Sequence, residues 1–353
     1  MSTSTDWRPS ADDAGEQASP SGGLAAMPER RRSRLGRFLW PRRWWQRAGV
    51  VLLALIVLAY LGGLWLSLRP VVGDNYQAKV TTGGPLEARY LAAGPHQVTG
   101  RSVGAMQYFA PYRIWFPSDI TSASAPLPVI LVANGTGVKA EKYKAWFERL
   151  ASWGFIVVGS DDEYSWSGWS QAMSVRLLQR LNQEPAQNGW SDNPLHQRVD
   201  LTRVGIAGHS QGGVGVFNAL ADKTITGATF RAAFAASPTN PALAQALGWD
   251  YSAAGVSVPT FLMSSTGQGD ENLVVSGAQL KQIYDQIPAG TTKVMARRTG
   301  VDHGQMLYMG DGYMTAWFMW LLQGDQTARA VFAGQTGELM GNPLYQDQAS
   351  TIR

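Results

Sequence analysis

The sequence predicts an α/β protein, in which a mostly parallel sheet is flanked by helices, behind an N-terminal transmembrane helix. Three observations lead to this prediction. From about Tyr112 onward, short β-rich segments alternate with helical segments, as in parallel sheets that carry helices on both faces. Some strand candidates, such as Val129–Val132, are continuous apolar runs, which is typical of strands buried on both faces. Residues 48–68 contain no charged side chain over a length that matches the hydrocarbon core of a bilayer.

The charge of the chain is concentrated at its N-terminus. The 353 residues have a formal net charge of +4, and residues 1–47 alone hold nine arginines against five acidic residues. The remainder is therefore neutral, so the sequence predicts no nucleic-acid surface on the folded body. The chain has no cysteine, which excludes disulfides, thiolate metal sites and a cysteine nucleophile.

The N-terminal segment is predicted to anchor the protein in a membrane. Residues 1–47 are interpreted as a disordered, arginine-rich cytoplasmic tail, and residues 48–68 as a transmembrane helix of about 31 Å. A cleaved signal peptide is the alternative, but the apolar run is longer than a typical signal core and no small-residue cleavage site ends it. The arginines that precede the apolar run predict, by the positive-inside rule, that the N-terminus lies in the cytoplasm. The folded body is then expected on the other side of the cytoplasmic membrane, in the periplasm or the extracellular space.

The folded body has seven strand candidates and five helical stretches, and no internal repeat. The strands are predicted at Tyr112–Phe116, Val129–Ala133, Phe155–Gly159, Arg203–Ala207, Arg231–Ala236, Pro259–Ser264 and Lys293–Arg297. The helices are predicted near 139–152, 168–182, 211–222, 275–287 and 312–323.

A candidate nucleophile lies in the segment Gly208-His209-Ser210-Gln211-Gly212. A G-x-S-x-G pattern is a weak signal in a glycine-rich chain, but this one follows a predicted strand and opens a predicted helix. A nucleophile elbow needs a serine in strained backbone at such a turn, with glycines where side chains would collide. We therefore predict that Ser210 is a nucleophile.

A serine nucleophile needs a base, and the chain has four histidines. His209 is too close in sequence to turn onto Ser210, and it is predicted to be structural. His96 and His196 are predicted to be surface residues, because one precedes the sheet and the other lies in a polar loop. His303 follows the last predicted strand, so it is the candidate base.

The acid that orients the base is predicted to be Asp270, in the loop after the strand Pro259–Ser264. This choice gives the chain order serine, aspartate, histidine. Glu271 is a rival. Asp302 is less suitable because it adjoins His303 in sequence, and neighbouring side chains in a loop rarely point at one another.

Two further groups of residues complete the predicted site. The backbone N–H groups of Gln211 and Thr136 are the candidate oxyanion donors, because each follows the end of a central strand. Tyr164, Trp166 and Trp169 lie in the loop after the strand Phe155–Gly159, where they either contact an apolar acyl chain or pack the loop. No metal or cofactor is predicted.

The body resembles the cutinase, polyester-hydrolase and chlorophyllase-like branch of the α/β-hydrolase superfamily. The similarity covers about residues 105–335 and rests on Val132-Ala133-Asn134-Gly135-Thr136, on Leu150-Ala151-Ser152-Trp153-Gly154-Phe155, on the elbow, and on Val258-Pro259-Thr260 leading to Asp270. The resemblance implies an α/β-hydrolase fold and a serine ester hydrolase.

The chain departs from this branch at three places. The usual Pro-Gly or His-Gly of the oxyanion loop is Asn134-Gly135, and the loop from Ser237 to Ala242 lacks the tryptophan with which polyester hydrolases hold an aromatic acyl group. The C-terminal disulfide of many secreted relatives is impossible without cysteine. Polyester cleavage is therefore not implied.

These observations predict the domain organisation and the function together. Residues 69–104 are assigned to a linker and the first strands, 105–335 to the α/β-hydrolase catalytic domain, and 336–353 to a C-terminal tail. We expect a membrane-anchored serine ester hydrolase that cleaves small or lipid-like carboxylic esters through an acyl-enzyme. A peptidase or acyltransferase on the same fold and a non-catalytic envelope scaffold are the alternatives.

Overall fold

The computed structural model of the protein describes residues 39–104, 110–186 and 190–353. Two compact units make up the chain, one from Met1 to Leu68 and the other from Arg69 to Arg353. The predicted disordered tail falls largely on residues 1–38, which lie outside the described residues.

In the first unit, helix α1 runs from Leu39 to Leu68 over 30 residues. It begins nine residues before the predicted start, so it includes the last residues of the predicted tail. Within the described residues it is the one helix long and apolar enough to cross a membrane, over Trp44–Gly63, and none of that span is buried.

The second unit is built on one nine-stranded sheet with the order β1-β2-β4-β3-β5-β6-β7-β8-β9. The six strands from β3 to β8 are parallel, whereas β1, β2 and β9 pair antiparallel at the two ends of the sheet. The strands are β1 (Val98–Val103), β2 (Tyr112–Pro117), β3 (Leu127–Ala133), β4 (Ile156–Ser160), β5 (Val199–His209), β6 (Phe230–Ala236), β7 (Thr260–Ser265), β8 (Lys293–Arg298) and β9 (Tyr345–Ser350).

Helices cover both faces of the sheet, so each central strand buries side chains on both sides. The helices of this unit are α2 (Pro85–Leu91), α3 (Lys144–Ser152), α4 (Trp169–Gln183), α5 (Gln211–Ala221), α6 (Pro241–Ala246), α7 (Gly277–Gln286), α8 (Met306–Met309), α9 (Asp311–Gln323), α10 (Gln326–Arg329) and α11 (Glu338–Gly341). Ile130 and Val132 of β3 belong to an apolar core with α3 and α9, whereas Val129 and Leu131 belong to a second core with α4 and α5.

The predicted α/β class with a mostly parallel sheet is confirmed. All seven predicted strands overlap strands of the sheet, and five of its helices overlap the five predicted stretches. The sheet also contains β1, which lies in the segment 69–104 assigned to a linker and the first strands. It further contains β9, which was not predicted and lies in the segment assigned to a C-terminal tail. Because β9 is a polar edge strand with no buried run, its sequence carries no strand pattern.

A buried ion pair joins the two helices on one face of the sheet. Arg149 of α3 bonds Asp311 of α9, and both side chains are almost completely buried. Trp146 donates to the same carboxylate at 2.7 Å, Tyr76 also donates to it, and Arg149 donates to the hydroxyl of Thr315 at 2.6 Å. This network links the N-terminal part of the body to α3 and α9.

Candidate active site

Ser210 lies on a sharp turn between β5 and α5. Its backbone has φ 60° and ψ −122°, a conformation that is rare for a residue with a side chain. A Cβ at Gly208 would lie 2.1 Å from the carbonyl oxygen of Gly212, and a Cβ at Gly212 would lie 2.0 Å from that of Ala133. The tight turn therefore requires both glycines, and it leaves the Ser210 side chain half-buried at the carboxyl edge of the sheet.

The loops after β7 and β8 bring Asp270 and His303 to Ser210. The Nε2 atom of His303 is 3.0 Å from Ser210 Oγ, and its Nδ1 atom is 2.7 Å from Asp270 Oδ1. Because parallel strands end at the same edge of the sheet, three residues that are far apart in sequence form one hydrogen-bonded row. This is the geometry that a nucleophile, a base and an orienting acid require.

Asp270 is completely buried, and both of its carboxylate oxygens accept hydrogen bonds. The hydroxyls of Ser237 and Ser265 each donate to Oδ2 at 2.6 Å, and the backbone N–H of Ser265 donates at 2.7 Å. Burial alone would raise the pKa of this carboxyl, but the hydrogen bonds from His303, Ser237 and Ser265 hold the pKa below its ordinary value. The carboxylate therefore stays ionised beside the imidazole.

The two rival carboxylates face other partners. Glu271 accepts a hydrogen bond from the guanidinium of Arg297, away from the imidazole. Asp302 Oδ1 accepts from the backbone N–H groups of His303 and Gly269, each at 2.8 Å. Asp302 thus links the loop that contains Asp270 to the loop that contains His303.

The side chain of His209 contacts the backbone of His303. Its Nε2 atom lies 2.9 Å from the backbone carbonyl oxygen of His303, and the two rings are 4.5 Å apart. Burial, together with the nearby charge of His303, lowers the pKa of His209 to about 3. The ring is therefore neutral at pH 7, and Nε2–H donates to the carbonyl, which fixes the main chain that carries the base.

The predicted oxyanion donors flank the elbow. In the described part of the chain, the N–H groups of Thr136 and Gln211 have no protein hydrogen-bond partner, whereas that of Gly135 donates to the Tyr143 hydroxyl at 3.0 Å. A Cβ at Gly135 would lie 3.6 Å from the carbonyl oxygen of His209, so this loop packs against the elbow. Both N–H groups are therefore free to donate a hydrogen bond to a ligand.

Asn134 holds the oxyanion loop in place. Its buried side-chain amide donates to the carbonyl of Asp162 at 2.7 Å and to that of Ser160 at 2.5 Å. These bonds join the loop after β3 to the loop after β4. At this position, where relatives have Pro-Gly or His-Gly, Asn134 thus provides two hydrogen bonds that a proline side chain could not donate.

Comparison with protein families identifies the chain. The model of the PETase family, described as PET hydrolase-like, matches residues 77–336. This match covers well over half of the 353 residues. The chain belongs to the PETase family. A search of curated proteins gives no match.

Membership in the PETase family confirms the resemblance to the cutinase and polyester-hydrolase branch of the α/β-hydrolases. The nine-stranded sheet fits that fold, and the family implies an ester hydrolase. The match begins at residue 77 and so includes α2 and β1, which lie in the segment 69–104 that was predicted to precede the catalytic domain.

The three predicted substrate-contacting aromatics lie beside the oxyanion loop of this PETase-family protein. The carbonyl of Glu163, which precedes Tyr164, accepts a hydrogen bond from Gly137 at 3.0 Å. Tyr164 and Trp169 are 57% and 51% exposed, and Trp166 is half-buried with its carbonyl bonded to Asn218. Among the described residues, none of the three forms a hydrogen bond or a ring contact with Ser210, His303 or Asp270.

Sequence reasoning missed the residues that hold the row in place. Ser237 and Ser265 donate hydrogen bonds to Asp270, His209 bonds the backbone carbonyl of His303, and the hydroxyl of Tyr143 accepts from the N–H of Gly135. The two serines stand at the carboxyl ends of β6 and β7, where side chains of parallel strands converge, and this position was the available signal. Among the described residues, no group of three or more side chains is arranged to bind a metal ion.

Proposed function

We propose that this protein is a membrane-anchored serine ester hydrolase that cleaves carboxylic esters on the outer side of the cytoplasmic membrane. One observation carries the proposal: Ser210, His303 and Asp270 form a continuous hydrogen-bonded row, with distances of 3.0 and 2.7 Å. A strained serine with a base and a buried acid in line is the arrangement of acyl-transfer enzymes. Family membership supplies the class of bond, an ester.

In the first half of the reaction, the Oγ atom of Ser210 attacks the ester carbonyl carbon while its proton passes to Nε2 of His303. The negative charge that develops on the carbonyl oxygen is stabilised by the N–H groups of Thr136 and Gln211. Asp270 remains ionised, fixes the tautomer with the proton on Nδ1, and stabilises the imidazolium. Collapse of the tetrahedral intermediate breaks the bond to the alcohol, which leaves with the proton from Nε2.

In the second half, water resolves the acyl-enzyme. His303 takes a proton from a water molecule, whose oxygen attacks the acyl carbonyl carbon. The bond to Ser210 Oγ then breaks, and the serine regains its proton from the imidazolium. The products are one carboxylic acid and one alcohol, and the enzyme returns to its starting state. We propose that Tyr164, Trp166 and Trp169 contact the acyl portion.

The anchor is the second part of the proposal. An apolar helix whose span is unburied, preceded by an arginine-rich segment, supports a single membrane crossing with the body outside. A reporter fused after Arg353 is expected to be active only outside the cytoplasm, and the mature protein is expected to retain residues 48–68. Mature protein that begins near residue 70 would contradict the anchor.

The catalytic part is tested with a fluorophosphonate probe on the full-length protein. We expect covalent labelling of wild type at Ser210, no labelling of Ser210→Ala, and hydrolysis of short activated esters by wild type alone. Thr136→Ala is a matched control, because it keeps the backbone N–H and is expected to label normally. Full activity in Ser210→Ala would end the serine-hydrolase proposal.

A further inference from the structure

The point where the chain enters the folded body is fixed by three hydrogen bonds to one residue. The N–H groups of Val71 and Val72 lie 3.0 and 3.5 Å from the carbonyl oxygen of Lys142, and Lys142 Nζ donates to the carbonyl of Arg69 at 3.3 Å. Val72 is completely buried. Only residues 69 and 70 therefore separate the last residue of α1 from the first anchored residue of the body.

This entry point lies at the edge of the sheet that carries Ser210. Lys142 is in a short 3-10 helix (Ala140–Tyr143) that follows the oxyanion loop. The next residue, Tyr143, accepts the hydrogen bond from Gly135, and the preceding residue, Glu141, donates its N–H to Asp161 directly after β4. The tether thus enters the body beside the loops that surround the nucleophile.

Exposed apolar side chains lie on the loops at this same edge. Tyr164 and Trp169, after β4, are 57% and 51% exposed, and Leu273, in the turn that begins with Asp270, is 65% exposed. We refer to these three residues as the apolar rim. Tyrosine and tryptophan are the side chains that favour the boundary between water and lipid, because each combines an apolar ring with a polar group.

We propose that the apolar rim contacts the surface of the bilayer in which the protein is anchored, and that the enzyme cleaves acyl esters of lipids in that bilayer. This inference rests on the proposed function. Two residues, 69 and 70, separate Leu68 from Val71, and the three extended Cα–Cα steps reach at most about 11 Å, so the covalent chain limits the distance between the entry point and the last residue of α1. A short tether at the catalytic edge keeps the nucleophile at the lipid surface, where an ester-linked acyl chain can reach it.

The test uses full-length protein in phosphatidylcholine vesicles with a fluorogenic ester-linked lipid. In one arm the lipid is in the same bilayer as the protein, and in the other it is in separate vesicles without protein. A water-soluble ester, p-nitrophenyl acetate, measures the activity of each preparation independently. We expect the lipid in the same bilayer to be cleaved at least tenfold faster than the lipid in separate vesicles.

The apolar rim is tested by the combined variant Tyr164→Ser/Trp169→Ser/Leu273→Ser. Because Tyr164 and Trp169 are also proposed to contact the acyl portion, this arm uses a fluorogenic lipid with a butyryl ester and p-nitrophenyl butyrate as the soluble reference, so that a loss of acyl contact affects both substrates equally. We expect the ratio of lipid cleavage to p-nitrophenyl butyrate cleavage to fall at least tenfold. The matched control is Leu247→Ser, which removes a leucine that is 48% exposed directly after α6 and that is not one of the three rim residues. This control is expected to leave the ratio within twofold of wild type.

The outcomes separate the inference from the proposed function. Hydrolysis of the soluble ester without cleavage of the lipid, or with equal rates in the two arms, would overturn the inference and leave the proposed function standing. Lipid cleavage unaffected by the rim substitutions would overturn the membrane contact and point to another occupant of the rim, such as a protein. Loss of soluble-ester hydrolysis and of fluorophosphonate labelling in wild type would overturn the proposed function itself.

Discussion

Two aspartates of this protein are buried at similar depth but have different partners. Asp270 faces His303, whose other nitrogen contacts the nucleophile, whereas Asp311 faces the guanidinium of Arg149 within the core. Complete burial raises the pKa of Asp311, even though the charge of Arg149 opposes that shift. At Asp270 burial acts in the same direction, but the hydrogen bonds that it accepts outweigh burial and hold its pKa low.

The difference shows what a buried carboxylate can do in each place. An arginine is permanently charged, so the pair with Asp311 cannot pass a proton and serves to join helices. An imidazole can be neutral or protonated, so the pair of His303 with Asp270 has the groups needed to accept a proton from Ser210 and return it. Loss of Asp270 should therefore remove activity, and loss of Asp311 should remove stability.

The largest expected effect is on catalysis at Asp270. Asp270→Asn is expected to lower kcat by about 10⁴-fold, or roughly 5 kcal/mol, because the imidazole loses its tautomer and the stabilisation of its charged form. Ser210→Ala and His303→Ala should be at least as damaging, and either combined with Asp270→Asn should add little, since the three act as a unit.

The matched controls are the neighbouring carboxylates. Glu271→Gln and Asp302→Asn are expected to cost far less, because neither side chain bonds the imidazole. The measurement is kcat/KM on one activated ester, with circular dichroism to confirm folding. Near-normal activity in Asp270→Asn together with collapse in Glu271→Gln would assign the acid to Glu271.

The second prediction concerns the buried ion pair. Asp311→Asn or Arg149→Met is expected to lower the free energy of unfolding by about 3–5 kcal/mol, because each leaves a buried group without its partner. Urea unfolding measures the loss, and kcat of the folded fraction should stay within twofold of wild type. The double variant Arg149→Met/Asp311→Leu should recover much of the stability. A large loss of kcat in folded Asp311→Asn would mean that Asp311, like Asp270, is needed for activity and not only for stability.

The third prediction concerns the pH dependence of stability at His209. The pKa of this residue is about 3 in the folded protein, against about 6.5 in the unfolded chain. Between these values the unfolded state binds the proton and the folded state does not, so stability falls as the pH decreases from 6.5 towards 3. From pH 7 to pH 5 the wild type is expected to lose about 2 kcal/mol more than His209→Gln.

Urea midpoints at the two pH values measure this difference. Glutamine keeps a donor for the carbonyl of His303 but does not titrate, so His209→Gln is also expected to retain activity at pH 7. Identical pH dependence in the two proteins would mean that His209 is not held neutral by burial.

The smallest expected effect lies at the serines that support Asp270. Ser237→Ala removes one hydrogen bond of 2.6 Å to the buried carboxylate, and the remaining donors continue to hold it ionised. We expect kcat/KM to fall about three- to tenfold, or roughly 1 kcal/mol. Ser265→Ala should act similarly, and the double variant should exceed the sum because fewer donors oppose burial. If Ser237→Ala lowered kcat/KM as much as Asp270→Asn does, Ser237 would be essential for catalysis and not only a hydrogen-bond donor to Asp270.

Local sequence patterns predict the central strands of the sheet, and they also single out Ser210 and His303 of the hydrogen-bonded row. Val129–Val132 is an apolar run, and the glycines around Ser210 mark a turn that only a strained backbone makes, so each can be recognised from neighbouring residues. The sequence leaves Asp270 and Glu271 as alternatives because a shift of one residue changes the direction of a side chain in a loop. The geometry resolves the pairing with His303.

Contacts between distant residues could not be predicted from the sequence. The bond from His209 to the carbonyl of His303 and the docking of Val71 on Lys142 join segments with no local pattern. The edge strand β9 is similar, since its polar residues gain their structure from pairing with β8 rather than from a buried face.

If Ser210 carries the acyl group during turnover, acid-quenched mass spectrometry should detect the acyl-enzyme. Full-length protein is mixed with an excess of p-nitrophenyl butyrate, quenched within the first turnovers, digested and analysed. We expect one added butyryl group, on the peptide that contains Ser210, and no adduct in Ser210→Ala. A butyryl group on any other residue, or undiminished turnover by Ser210→Ala, would show that Ser210 is not the nucleophile.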